Sequence, residues 1–384
     1  HTWIPMPDGT RLAARIWMPA DAVEHPVPAI LEYIPYRKRD GVRRRDETMH
    51  PYFASHGYAS VRVDLRGSGD SEGILADEYL PRELDDGVEV IRWLAAQEWC
   101  SGRVGMIGIS WGGFNGLQIA ALQPEALGAV ISVCSTDDRY ADDVHYMGGC
   151  LLGDNLSWAS TMYSYNSLPP DPAIVGDRWR SMWQRRLEAN EHWLGAWLEH
   201  QHRDDYWRHG SICEDFARVE VPVMAVSGWA DGYSNAVFRL LEHLPGPRMG
   251  IIGPWSHKYP HLGVPGPAIG FLQEALRWWD RWLKDVETGI TAEPMLRVWM
   301  LDSMPPSTFY HQRYGRWVGE PSWPSPEVAE RVLHFGRDRL QATPDPVDHA
   351  PSVSSPLSVG LFAGKWCSYS SVSYTHLRAH ETKT

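Results

Sequence analysis

Two stretches of the chain set a serine between glycines in the pattern G-x-S-x-G: Gly108-Ile109-Ser110-Trp111-Gly112 and Gly69-Asp70-Ser71-Glu72-Gly73. The pattern suits nucleophilic catalysis because a sharp turn from strand to helix lifts the serine oxygen above a sheet, and small flanking residues let the two backbones approach. Context separates the two candidates. Ser110 follows the apolar run RVGMIGI and precedes GGFNGLQIAAL, a helix start small enough to sit closely on a sheet. Ser71 follows VDLRGSG and leads into polar EGILADEYLPREL, with no helix where an elbow needs one. Ser110 is the expected nucleophile. Ser71 is expected in a loop after a strand, where Asp64 and Arg66 make local hydrogen bonds.

A serine hydroxyl needs a base to take its proton and an acid to fix that base's tautomer. Asp231 comes directly after VPVMAVSGW and His257 just beyond GIIGPW. Both stand at the ends of strand-like runs, in the chain order serine, acid, histidine. The chain holds 17 histidines, so position rather than residue type carries the assignment. His261 is the alternative base, and Asp137 and Asp138, after GAVISVC, are the alternative acids.

The elements that must position these groups alternate. Strand-like runs at Arg11–Met18, Ala29–Ile34, Ala59–Asp64, Val104–Ile107, Ala129–Cys134, Val223–Ser227 and Gly250–Ile252 are interleaved with helical patterns at Glu83–Ala96, Phe114–Leu122 and Ala236–His243. That alternation predicts a mostly parallel sheet covered by helices, the α/β-hydrolase fold. From about Asp137 to Ala217 the sheet pattern stops, which predicts an inserted helical cap. The pattern then returns and closes on the amphipathic FLQEALRWWDRWLKD. After Gly289, proline-rich loops separate short runs such as Leu296–Leu301 and Arg331–Phe335, the expected start of an all-β domain. The expected units are core residues 1–136, cap 137–217, core 218–289, partial β domain 290–370 and tail 371–384.

A chain of 384 residues with 43% hydrophobic and 22% charged residues can bury a large core. No run reaches the roughly 20 apolar residues of a membrane span. The net charge of −12 and the lack of a basic face exclude nucleic acid as an expected partner, leaving a small-molecule ester or amide substrate. Oligomeric state is not legible. Cys100, Cys134, Cys150, Cys213 and Cys367 are scattered and odd in number, which disfavours a disulfide framework and a zinc site, so they read mainly as small core residues. Neither metal nor organic cofactor is expected. The chain opens at His1 without a basic-then-apolar leader, and a cytoplasmic location is expected. The 20 tryptophans read as bulky packing before they read as a ligand surface.

At this point the sequence resembles the CocE/NonD hydrolases, the cocaine esterase-like and X-Pro dipeptidyl-peptidase (S15) group. The resemblance runs through MPDGTRLAARIWMP, VGMIGISWGGFNGLQIA, GWADGYSNAVFRLL, IGPWSH and EALRWWDRWLKD, in order over nearly the whole chain. It implies Ser110, Asp231 and His257 as a triad. It also implies an oxyanion hole made by the Tyr36 hydroxyl, from YIPYRKRD, and the Trp111 backbone N–H. A tyrosine donor fits a loop that lacks the glycine-rich string of other esterases. Relatives that hydrolyse α-amino acid esters hold the substrate amine with carboxylates shortly after the triad acid, where this chain has Tyr233 and Ser234. Asp142 and Asp143 are the remaining candidates for substrate binding. The family continues into a complete jelly-roll domain, whereas this chain breaks off after LFAGKWCSY, and Ser371 to Thr384 resembles translated adapter sequence without function.

The resulting expectation is a carboxylic-ester hydrolase working through an acyl-enzyme on Ser110. The alternatives are an X-Pro dipeptidyl-peptidase or α-amino acid ester hydrolase, and, from another class, a non-catalytic binding scaffold of the same fold.

Overall fold

A computed structural model describes residues 1–344 apart from 306, 308, 337 and 338. In chain order the core opens with β1 (Thr2–Pro5), β2 (Arg11–Trp17), β3 (Val27–Ile34), α1 (Arg43–Ser55), β4 (Ala59–Asp64), α2 (Pro81–Ala95), β5 (Cys100–Ile109), α3 (Trp111–Ala120) and β6 (Leu127–Val133). There follows a stretch with one small hairpin, β7 (Tyr146–Met147) and β8 (Cys150–Leu151), and the helices α4 (Asp154–Asn166), α5 (Pro172–Val175), α6 (Trp179–Ala189), α7 (Leu194–Glu199) and α8 (Asp205–Arg208). The core resumes with β9 (Val223–Gly228), α9 (Ser234–His243), β10 (Arg248–Gly253), α10 (Phe271–Leu283), β11 (Leu296–Leu301) and β12 (Gly315–Glu320). A two-residue pair, β13 (His334–Phe335) and β14 (Leu340–Gln341), stands apart from the main sheet.

Among the described residues, ten strands form one sheet in the order β1-β2-β4-β3-β5-β6-β9-β10-β11-β12. The run from β4 to β11 is parallel, and β1, β2 and β12 pair antiparallel at the two margins. This is the mixed α/β sheet of an α/β-hydrolase, and its composition explains it. Strands such as β4 (ASVRVD) and β9 (VMAVSG) are buried along their whole length, as a sheet covered on both faces requires. The helix α10 buries Phe271, Leu272, Ala275, Trp278, Trp279 and Leu283 as one stripe, and Trp279 packs where Gly105 leaves room on β5. Trp111, Trp197, Trp207, Trp255 and Trp279 are among the largest wholly buried side chains, so tryptophan does serve packing here.

Three expectations shift. The helix α1 has no counterpart in the sequence reading, because its inward face at Asp46, Met49, His50 and Phe53 is half polar. Those polar groups enter a buried charge cluster with Glu32, Arg45 and Arg62. The run Leu296–Leu301, expected to open a separate β unit, pairs in parallel with β10 and extends the main sheet. Of the expected strand at Arg331–Phe335 only His334–Phe335 is extended, and the segment beyond residue 344, with Cys367 and the tail from Ser371, lies outside the described residues. Among the described cysteines Cys100 and Cys134 are buried, Cys213 is half-buried and Cys150 is exposed, all of them free. No helix among the described residues is long and apolar enough to cross a membrane.

Candidate active site

Because the central strands are parallel, their carboxyl ends share one edge, where such sheets place their sites. The register aligns Ile109 of β5 with Val133 of β6, Val133 with Val226 of β9, and Gly228 with Gly253 of β10. Ser110, Asp231 and His257 therefore leave the sheet along one rim, and the Tyr36 loop leaves it after β3.

Ser110 joins β5 to α3 with φ 57° and ψ −123°, an unfavourable backbone for a residue with a side chain. Its N–H donates to Val133 O at 2.9 Å, and its carbonyl accepts from Gly113 and Phe114, which pins the turn. A Cβ on Gly108 would lie 2.2 Å from the Gly112 carbonyl carbon, so this turn closes only with glycine there. The Tyr36 hydroxyl interacts with the Ser110 side chain, and burial pushes its phenol far above the usual range and so keeps it protonated. Tyr36 is held by edge and tilted contacts to Trp111, Trp158 and Tyr165.

Asp231 follows β9 and is buried, and its Oδ1 lies 3.0 Å from His257 Nδ1. Burial pushes its carboxyl up, but the adjacent His257 and the Cys134 and Ser227 side chains hold it below the ordinary carboxylate range. Ser227 Oγ donates to Oδ2 at 3.0 Å. The His257 ring is exposed on its other side, 5.8 Å from the Tyr233 ring. Tyr259, two residues on, donates to Glu32 at 3.0 Å and so ties the histidine loop to β3.

The alternatives sit elsewhere. Ser71 is wholly buried; its hydroxyl accepts from Ala13 N–H at 2.8 Å and donates to Asp64 O at 2.6 Å. His261 stacks on Phe271, and burial, aided by the Arg45 charge, drops its pKa to about 4. Asp137 is paired with Arg239, and Asp138 caps the N–H groups of Tyr140 and Ala141.

Asp142 and Asp143 point to different partners. Asp142 pairs with Arg239 at 2.6 Å. Asp143, pushed up to about 6 by burial, accepts from the Tyr233 hydroxyl at 2.7 Å, within one ring of His257. Beside it, a buried Glu78 accepts from His145 at 2.5 Å and from the Trp158 indole at 3.1 Å, and it lies 3.6 Å from Arg139.

The sequence reading did not single out Glu78, His145, Glu83, Cys134 or Ser227, since nothing local marks residues that meet only through the fold. Among the described residues, three sets of donor atoms gather within 4.8 Å: Cys134, Asp231, His257; Glu32, Asp46, His50; and Glu78, Asp143, His145. The first fits a metal poorly, because burial and the Asp231 charge hold the Cys134 thiol well above its usual range and thus protonated. The second and third are compensated by Arg45, Arg62 and Arg139.

The family model of the X-Pro dipeptidyl-peptidases (S15 family) matches residues 8–259. The chain is 27% identical over 373 residues to a cocaine esterase from Rhodococcus sp., covering 88% of this chain and 62% of that protein. It superposes on a CocE/NonD family hydrolase from Staphylococcus aureus with a TM-score of 0.71 at 20% identity, over 89% of this chain and 59% of that one. An α-amino acid ester hydrolase gives 0.65 at 21% identity, over 91% and 63%. The chain spans less than two thirds of the length of these relatives.

Proposed function

The chain belongs to the X-Pro dipeptidyl-peptidase (S15) family, and from that premise we propose that it is a serine hydrolase that cleaves neutral carboxylic esters through an acyl-enzyme on Ser110. The observation that carries the reading is the meeting, at one sheet edge, of a serine on a strained elbow, a buried tyrosine hydroxyl that interacts with it and a paired Asp231–His257.

In this reading His257 Nε2 takes the Ser110 proton as Oγ attacks the ester carbonyl, while Asp231 holds Nδ1–H and stabilises the imidazolium. The Tyr36 hydroxyl and the Trp111 N–H receive the oxyanion. His257 then returns the proton to the departing alcohol, and a water, activated by the same histidine, releases the acid. Residues 137–217 roof the pocket, a role supported by Trp158 and Tyr165 of α4 against Tyr36 and by Trp193 against Trp111. A cytoplasmic setting is supported by the free described cysteines.

Tyr36→Phe removes one oxyanion donor at constant size, so kcat is expected to fall about 100- to 1000-fold with little change in KM. Steady-state kinetics on an aryl acetate checks this; a change confined to KM contradicts the role.

Substrate charge follows from the carboxylates. A protonated amine taken out of water needs an acidic partner. Asp142 is engaged by Arg239, Asp143 by Tyr233, and Glu78 by His145 and Trp158. Neutral short-chain esters are therefore expected to be cleaved with higher kcat/KM than matching α-amino esters or X-Pro amides at pH 7. A turnover panel tests the reading. Preference for the amine substrate, lost in Asp143→Asn, would replace it with an amino-ester hydrolase.

A further inference from the structure

Behind the elbow stands a carboxyl group that the mechanism above does not use. Glu83 lies in the first turn of α2 and is buried. Its Oε1 accepts from the Trp111 indole N–H at 2.5 Å and from Asn115 Nδ2 at 2.9 Å. Its Oε2 accepts from the Tyr79 N–H at 2.9 Å, and its carbonyl accepts from the Tyr33 hydroxyl at 3.1 Å. Asn115 in turn donates to Tyr33 O at 3.1 Å, so α2, β3 and α3 are joined around one carboxylate. Burial pushes that carboxyl up to about 7, against the three donors that favour its charge.

The ordinary explanation is helix capping: Glu83 is the third residue of α2, where a glutamate commonly reaches back to the chain entering the helix. The Tyr79 bond is that cap. The Trp111 and Asn115 bonds are not, since both partners lie on α3, and capping asks nothing of them. They hold the residue whose backbone N–H faces the developing oxyanion. The Trp111 indole has no exposed surface and lies between Tyr79, Tyr36, Trp158 and Trp193, at centroid distances of 5.0 to 6.3 Å. With its N–H fixed by Glu83 as well, the side chain cannot turn, and the peptide between Ser110 and Trp111 keeps its aim.

We propose that Glu83 is a positioning residue of the oxyanion hole, acting through the Trp111 indole and Asn115 to fix the Ser110–Trp111 peptide. The proposal rests on the acyl-enzyme reading above, so the experiment first establishes that the wild-type chain is labelled by a fluorophosphonate. Failure at that step sinks the reading rather than this inference.

In a chain that labels, Glu83→Ala is expected to lower kcat about 10- to 100-fold with KM within about twofold, the scale of a misplaced rather than a missing donor. Fluorophosphonate labelling should slow in parallel. Glu83→Gln keeps an oxygen for Trp111 and Asn115 and should recover most of kcat. Trp111→Phe removes the indole N–H and leaves Glu83 in place, so it should reproduce the kcat loss even where Glu83→Ala does not fold. A pure capping role predicts the opposite pattern, lower thermal stability with unchanged kcat. The proposal is overturned if Trp111→Phe or soluble Glu83→Ala keeps kcat within twofold of wild type, or if Glu83→Gln is no better than Glu83→Ala.

Discussion

Ser110→Ala is expected to lower kcat on the order of 10⁶-fold toward an aryl ester, while Ser71→Ala leaves kcat close to wild type. The two serines occupy the same five-residue pattern, yet their hydroxyls meet different surroundings. At Ser110 the turn is strained, the side chain interacts with the Tyr36 hydroxyl, and the same rim holds the paired Asp231 and His257. At Ser71 both the donor and the acceptor capacity of the hydroxyl are spent on backbone, on Asp64 O and Ala13 N–H. The second substitution therefore acts on stability. Leaving those two buried groups without a partner costs about 1–3 kcal/mol, to be read from the unfolding midpoint. A large kinetic loss in Ser71→Ala with Ser110→Ala still active would reverse the assignment.

The second large effect belongs to the proposed base and its proposed acid. His257→Ala should cost on the order of 10⁶-fold in kcat and Asp231→Ala on the order of 10⁴-fold. The two act as a unit through one 3.0 Å bond, so the double substitution should fall little further than His257→Ala alone. His261→Gln is the control. Its ring is neutral, stacked on Phe271, and makes no hydrogen bond through either nitrogen, so kcat should survive. Additive losses in the double variant would contradict their acting as a unit, and loss of turnover in His261→Gln with His257→Ala active would place the base at His261.

The parts of this site differ in how far the sequence displays them. The elbow is legible because it is local: a β-rich run, a glycine two residues on either side of Ser110, and a small-residue helix. The ends of β9 and β10 are legible for the same reason, each a short apolar run that stops at a polar residue. Tyr36 is different. Its place near Ser110 depends on where β3 lies in the sheet, and only the resemblance to a family points to it. Helix α1 escapes the hydrophobic pattern because its buried face is built from Asp46 and His50, whose partners Glu32 and Arg62 come from two strands. Leu296–Leu301 has the same alternation whether it founds a new sheet or joins an old one, and pairing with Gly250, Ile251 and Ile252 is a tertiary fact. The acidic residues show the limit most clearly. Asp142 and Asp143 are neighbours in the chain, but one faces Arg239 and the other Tyr233, so a single motif divides between an ion pair and a buried contact to the tyrosine whose ring lies 5.8 Å from His257.

The central claim is that Ser110 is the activated nucleophile, and active-site labelling tests it most directly. Wild-type chain treated with a fluorophosphonate should gain one adduct by intact mass, and digestion should locate it on the peptide that carries Ser110. The adduct should be absent from Ser110→Ala and form far more slowly in His257→Ala. An adduct on Ser71, or labelling that persists in Ser110→Ala, would contradict the account.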